Sequence, residues 1–252
     1  MRFAVLGSGS QGNGTLIASG DTFILVDCGF SLRETERRLA LLGVSAAQIS
    51  AVLVTHEHAD HVHGVGLLSR RYNVPVYLSQ GTLRGMRKPV EVAGFLACGQ
   101  SLRIGSLEVT AARVEHDAYE PLQYVISDGQ RRFGMLTDLG SYDALLLERY
   151  QGLDALLIEA NHCRDLLARG HYPVFLKQRV GGMQGHLNNH QAARLVHELG
   201  WSNLQHLVLA HLSSKNNLPH LARQCFVDIL GCDPDWLQVA NQEHGLDWRE
   251  IA

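Results

Sequence analysis

The chain has 252 residues, 46% of them hydrophobic and 19% charged, which suits an ordinary folded protein with a large core and excludes a disordered or fibrous one. A net charge of −3 excludes a global positive field for nucleic acid, and no apolar run is long enough to cross a bilayer. The start, Arg2-Phe3-Ala4-Val5-Leu6, lacks the segments of a signal peptide, and the five scattered cysteines form no Cys-x-x-Cys, so free thiols in a cytoplasmic protein are expected.

Residues 2–6, 15–18 and 22–27 read as consecutive short strands. Ser31-Leu32-Arg33-Glu34 has the pattern of a capping box and opens a helix that runs to Gly43. A strand at 51–55, a helix near 64–72 and a strand at 74–78 follow. Residues 102–136 are strand-rich, with a hairpin signal at Asp128-Gly129. The last third alternates: strand 154–159, helix 189–199, strand 205–210, helix 218–230 and a final strand at 236–240. No linker or repeat interrupts this order, so 1–252 reads as a single α/β domain with a two-sheet core and helices outside.

Gly7-Ser8-Gly9-Ser10-Gln11-Gly12 matches the spelling of a dinucleotide-binding fingerprint, with Asp27 at a suitable distance. The context fails, because that fingerprint needs a helix at its third glycine and Thr15-Leu16-Ile17-Ala18 is β-prone. A turn carrying Ser8, Ser10 and Asn13 near a site is the better reading.

Thr55-His56-Glu57-His58-Ala59-Asp60-His61 packs four metal-ligand side chains into six residues after the apolar run Ala51-Val52-Leu53-Val54. His56 and His58, two apart on extended backbone, point the same way, and Asp60 and His61 turn toward a second position. Imidazole with carboxylate suits zinc, manganese or iron. His116, Asp138 and His211 each stand where an apolar strand stops, and together they complete seven ligands, enough for two divalent metal ions, zinc or manganese with iron as a third option. All but three of the 22 basic residues (Lys88, Lys177 and Lys215) are Arg, in clusters such as Arg70/Arg71 and Arg84/Arg87/Lys88 that suit phosphate.

On these motifs the chain resembles the metallo-β-lactamase superfamily, and within it the YycJ/WalJ-type exonuclease branch. The branch resemblance also rests on Leu6-Gly7-Ser8-Gly9-Ser10-Gln11-Gly12-Asn13, Glu115-His116-Asp117-Ala118-Tyr119-Glu120-Pro121, Glu159-Ala160-Asn161-His162, Gly185-His186-Leu187-Asn188-Asn189 and His211-Leu212-Ser213-Ser214-Lys215-Asn216-Asn217. The chain departs from it at Cys163, where Asp is usual, and at Asn188, where Ser is. The resemblance implies an αββα sandwich. It assigns His56, His58 and His116 to one metal and Asp60, His61 and His211 to the other, with Asp138 bridging and Asp27 structural. His186 resembles the histidine beside the scissile phosphate in tRNA 3′-processing nucleases.

These assignments imply a metal-dependent phosphodiesterase, a 5′→3′ DNA exonuclease in which a metal-bridging hydroxide attacks phosphorus and Asp60 and His186 are catalytic. Ser8, Asn13, His162, Lys215 and Asn216 are the expected substrate contacts, and DNA is favoured over RNA. The same ligand set serves a small-molecule hydrolase acting on a cyclic phosphodiester, thioester or lactone, which is the alternative. A nucleic-acid-binding protein without turnover would not need a complete ligand set.

Overall fold

In the computed structural model, which describes residues 1–252, the apolar N-terminal runs form β1 (Arg2–Gly7), β2 (Gly14–Ser19) and β3 (Thr22–Val26), an antiparallel meander. A strand thus follows the glycine-rich turn where a dinucleotide fold would place a helix. Helix α1 (Leu32–Leu41) starts as Ser31 Oγ accepts the Glu34 N–H, and Gly43, at φ 72°, turns the chain beyond its end. The reciprocal half of the capping box is missing, because the Glu34 carboxylate is taken by Arg37 and Arg38. Next come β4 (Ala51–Leu53), α2 (Ala59–Val62), α3 (Val65–Tyr72), β5 (Val76–Leu78), α4 (Gln80–Gly85) and β6 (Gly94–Phe95).

The second half begins with a meander of β7 (Ser101–Ile104), β8 (Leu107–Arg113), β9 (Leu122–Ser127) and β10 (Arg132–Leu136), its last turn at Asp128-Gly129 as the sequence suggests. Then follow α5 (Ala144–Arg149), β11 (Ala155–Glu159), α6 (Arg164–Arg169), α7 (Val174–Val180), α8 (Asn189–Leu199), β12 (His206–Ala210), α9 (Pro219–Leu230), β13 (Leu237–Val239) and β14 (Leu246–Glu250). The strand read at 236–240 is therefore not the final one. β14 carries only two apolar residues among charges, a weak local signal, and it gains its place by pairing with β1 at a sheet edge.

The first sheet has the order β14-β1-β2-β3-β4-β5-β6 and the second β13-β12-β11-β10-β9-β8-β7. Each is antiparallel on one side and parallel on the other, the parallel part being β3 to β6 in one and β10 to β13 in the other. Phe3, Ile17, Leu53, Tyr124, Phe133 and Leu157 fill the core between the sheets. The outer face of the first sheet packs Leu39 of α1 and Leu68 of α3, and that of the second packs Leu195 of α8 and Phe226 of α9. These four layers are the expected αββα sandwich. No helix is long and apolar enough to cross a membrane.

Candidate metal centre

In an open α/β sheet, ligands gather at the carboxyl ends of parallel strands. Here both sheets present such ends at one rim. Asp27 follows β3, the 55–61 segment follows its parallel neighbour β4, and Asp138, Glu159 and His211 stand at the ends of β10, β11 and β12. Three of the four non-glycine residues with left-handed backbone are Asp27 (φ 61°), Asp138 (57°) and His211 (49°). Asp and His tolerate that region better than β-branched residues do, and it bends each chain back across the rim. Between sheets, the Tyr124 hydroxyl donates to the Val54 carbonyl at 2.7 Å and fixes the start of the ligand segment.

His56 Nε2 lies 3.0 Å from His58 Nδ1, which lies 3.3 Å from His116 Nε2. The outer nitrogens are engaged: His116 Nδ1 donates to the Gly185 carbonyl at 3.1 Å. His56 Nδ1 sits 3.0 Å from Thr55 Oγ1, whose own proton goes to Asp27 Oδ2. The imidazole lone pairs therefore face one another. Burial, followed by the neighbouring His61, pushes the His56 pKa well below its ordinary value, and burial lowers that of His116, so both are held in the neutral, ligating form.

Asp60 turns into the second group on the short helix α2, with His61 beside it. His61 Nδ1 donates to Asp27 Oδ2 at 2.8 Å, leaving Nε2 to face Asp138 Oδ2 at 3.4 Å and Asp60 Oδ2 at 3.6 Å. His211 Nδ1 lies 3.3 Å from Asp138 Oδ1. Burial opposes the imidazolium of His61, yet Asp138 and Asp27 outweigh it and raise its pKa to about 10. Burial likewise opposes ionisation of Asp138, but His211, His61, His56 and His116 hold its carboxyl well below the usual range.

Buried Asp138 Oδ2 and His211 Nδ1 each have no hydrogen-bond partner, a costly arrangement unless a group that binds them completes the site. Tetrahedral ligands with metal–nitrogen bonds of about 2.0–2.1 Å stand about 3.3 Å apart, close to the separations around His58 Nδ1. The donor set therefore fits divalent cations. Adding zinc or manganese to chelator-stripped protein at a hundredfold excess over Kd is expected to raise Tm by about 5–10 °C, from the roughly 2.7 kcal/mol such binding contributes. A flat Tm in a scanning calorimeter with zinc, manganese and iron(II) alike would refute the fit.

A β-lactamase superfamily domain model matches residues 22–212. The chain belongs to the metallo-β-lactamase superfamily. It is 33% identical over 235 residues to the exodeoxyribonuclease YycJ of Bacillus anthracis, covering 91% of this chain and 89% of that one. It is 32% identical over 237 residues to the exodeoxyribonuclease WalJ of Streptococcus pneumoniae, covering 91% and 88%. The crystal structure of the metallo-β-lactamase-fold protein YhfI from Bacillus subtilis superposes with a TM-score of 0.75 at 20% identity over 99% of both chains, a likeness of fold. The chain is thus a metal-dependent hydrolase of the YycJ/WalJ-type branch of the superfamily.

All seven predicted ligands and Asp27 meet in this superfamily site, beside a cleft of about 240 Å³. His186 lines that cleft, on a partner the sequence reading missed. Glu159 is fully buried and accepts the N–H groups of Asp138, Leu139 and Leu187 as well as His186 Nδ1, the last at 3.1 Å. Burial disfavours the Glu159 carboxylate, but the positive charge and hydrogen bond of His186 bring its pKa down to about 2. For His186 burial is again opposed, by Glu159 first and then Asp138, and its pKa rises to about 9. A signal was available: Glu159 is an acid where the apolar strand Leu156-Leu157-Ile158 stops, like Asp138 and His211.

The expected substrate contacts fare differently. Ser8 is buried and its Oγ accepts the His211 N–H at 2.9 Å, while Asn13 is buried with its amide against Asp60 and His61. Both support the ligand loops rather than face substrate, and Ser10 is the member of their turn that lines the cleft. His162 is buried outside the cleft lining, and desolvation pushes its pKa down to about 4. Lys215 is exposed beyond the lining, whereas Asn216, with Ser213 and Ser214, forms part of the wall. The opposite wall comes from the α6–α7 region through Tyr172, Leu176 and Arg179. In the sequence that region shows only the Lys177/Arg179 pair of cations, and α7 buries no residue. Cys28 packs under the site with its thiol pushed up to about 12 by burial, a packing residue and not a ligand.

Proposed function

We propose that the chain is a dinuclear metal-dependent phosphodiesterase that shortens DNA from its 5′ end. The observation that carries this reading is the convergence of both ligand groups on the buried carboxylate of Asp138, with a protonated His186 3.8 Å from the same carboxylate. Relatives of nearly full length that are named exodeoxyribonucleases support it.

His56, His58 and His116 would hold one cation and Asp60, His61 and His211 the other, with Asp138 between them. When bound, the pair would supply Lewis-acid charge neutralisation at phosphorus and a water of lowered pKa. The chain does the rest. Asp27 fixes the His61 tautomer and Thr55, and through Thr55 the His56 ring. Glu159 keeps Nδ1 of the cleft-lining His186 as its hydrogen-bond donor and leaves Nε2 to give its proton to the departing 3′-oxygen. Asn216, Ser213 and Ser214 line the wall across which the sugar-phosphate passes.

The test is digestion of 5′- and 3′-labelled single-stranded and duplex DNA, with RNA in parallel, by stripped protein supplied with each metal in turn. Mononucleotides released first from the 5′ label are expected. Release from the 3′ label first would reverse the polarity. Brisk hydrolysis of a thioester or lactone with no nucleic acid cleaved would replace the proposal with the small-molecule reading.

A further inference from the structure

His58 borders a second cavity, of about 470 Å³, on the side away from His186 and the α7 wall. Arg70 of α3 and Arg87 and Lys88, just past α4, line it together with His63. All three cations are exposed and none has a carboxylate in ion-pair reach, although the next residue, Arg71, is paired with Glu36. Clustering unpaired cations on a chain of net charge −3 costs self-repulsion that an anion would relieve. Glu57 is the one acid in the lining, and its Oε1 accepts the N–H of Tyr119 at 2.9 Å. That bond fastens Tyr119 at the rim against Gly85, where an added Cβ would stand 2.8 Å from its ring, while the side chain is 73% exposed.

We propose that this groove is a single-strand track, in which Arg70, Arg87 and Lys88 hold successive phosphates of the strand adjoining the scissile bond and Tyr119 stacks on one of its bases. The proposal rests on the phosphodiesterase reading above and adds a substrate class, a single strand several nucleotides long. A row of cations beside an exposed aromatic ring is how proteins bind single strands without reading sequence. His58 lines both the groove and the cleft at the metal centre, so the two adjoin.

The experiment compares kcat/KM for a 15-nucleotide single-stranded DNA with that for a dinucleotide, too short to reach the groove, across a range of salt concentrations. The Arg70→Ala, Arg87→Ala, Lys88→Ala triple variant is expected to lower the ratio at least about tenfold and to flatten the salt slope by about 2, three phosphate contacts' worth. Tyr119→Ala is expected to lower the ratio about fivefold or more and leave the slope alone. A ratio within twofold of the unaltered protein in both variants, with an unchanged slope, overturns the track. If the unaltered protein cleaves neither DNA yet hydrolyses an activated small diester, the nucleic-acid reading fails, and the track with it.

Discussion

Asp138→Asn is expected to lower kcat/KM on a phosphodiester by about 10³-fold or more, the scale at which a single electrostatic partner of a transition state acts. The substitution is nearly isosteric, and asparagine tolerates the left-handed backbone at φ 57° that alanine would strain. What it removes is the charge that four histidines surround. Without that charge no carboxylate stands between the His56, His58 and His116 group and the Asp60, His61 and His211 group, and the first is left with neutral imidazoles, which bind a hard cation weakly. Metal content by mass spectrometry is expected to fall together with activity, and the circular dichroism spectrum to stay unchanged. Full metal content with activity within tenfold of the parent would take Asp138 out of the centre.

Glu159→Ala has a different signature, because it strikes stability first. The change strands three buried backbone N–H groups and the His186 imidazolium in one step. Removing one partner of such a buried charged network costs about 3–5 kcal/mol, or about 10 °C in Tm for a chain of this size. Glu159→Gln separates the roles, since it keeps the volume and one acceptor but no longer holds a proton on His186. Its kcat is expected to fall about 10²- to 10⁴-fold, as for loss of a general acid, with KM and metal content little changed. His186→Ala combined with Glu159→Gln should then lower kcat little further, because the two residues act as a unit. Additive losses would show that Glu159 only buttresses the Asp138 loop and that His186 works without it.

Much of the centre is legible in the sequence because its signal is local. A polar residue where an apolar strand stops marks His116, Asp138 and His211, and the spacing within 56–61 divides four ligands between two positions. The same logic applies to Glu159, which passed unassigned although it ends the strand between those of Asp138 and His211. Ser8 and Asn13 misled for the opposite reason. Their types suit a substrate loop, but whether a hydroxyl or amide faces solvent or the backbone of a segment 47 or 203 residues away is not a local property.

By itself the sequence determined the strands and helices whose periodicity is strong, the chemistry of the ligands and the metals they suit. Tertiary structure alone decided that β14 closes the sheet beside β1, that Glu159 ties Asp138 to His186, and that Arg70, Arg87 and Lys88 share one groove. The physical reason is range: burial periodicity and capping act within a few residues, whereas strand order brings distant residues together and so sets which buried polar groups meet.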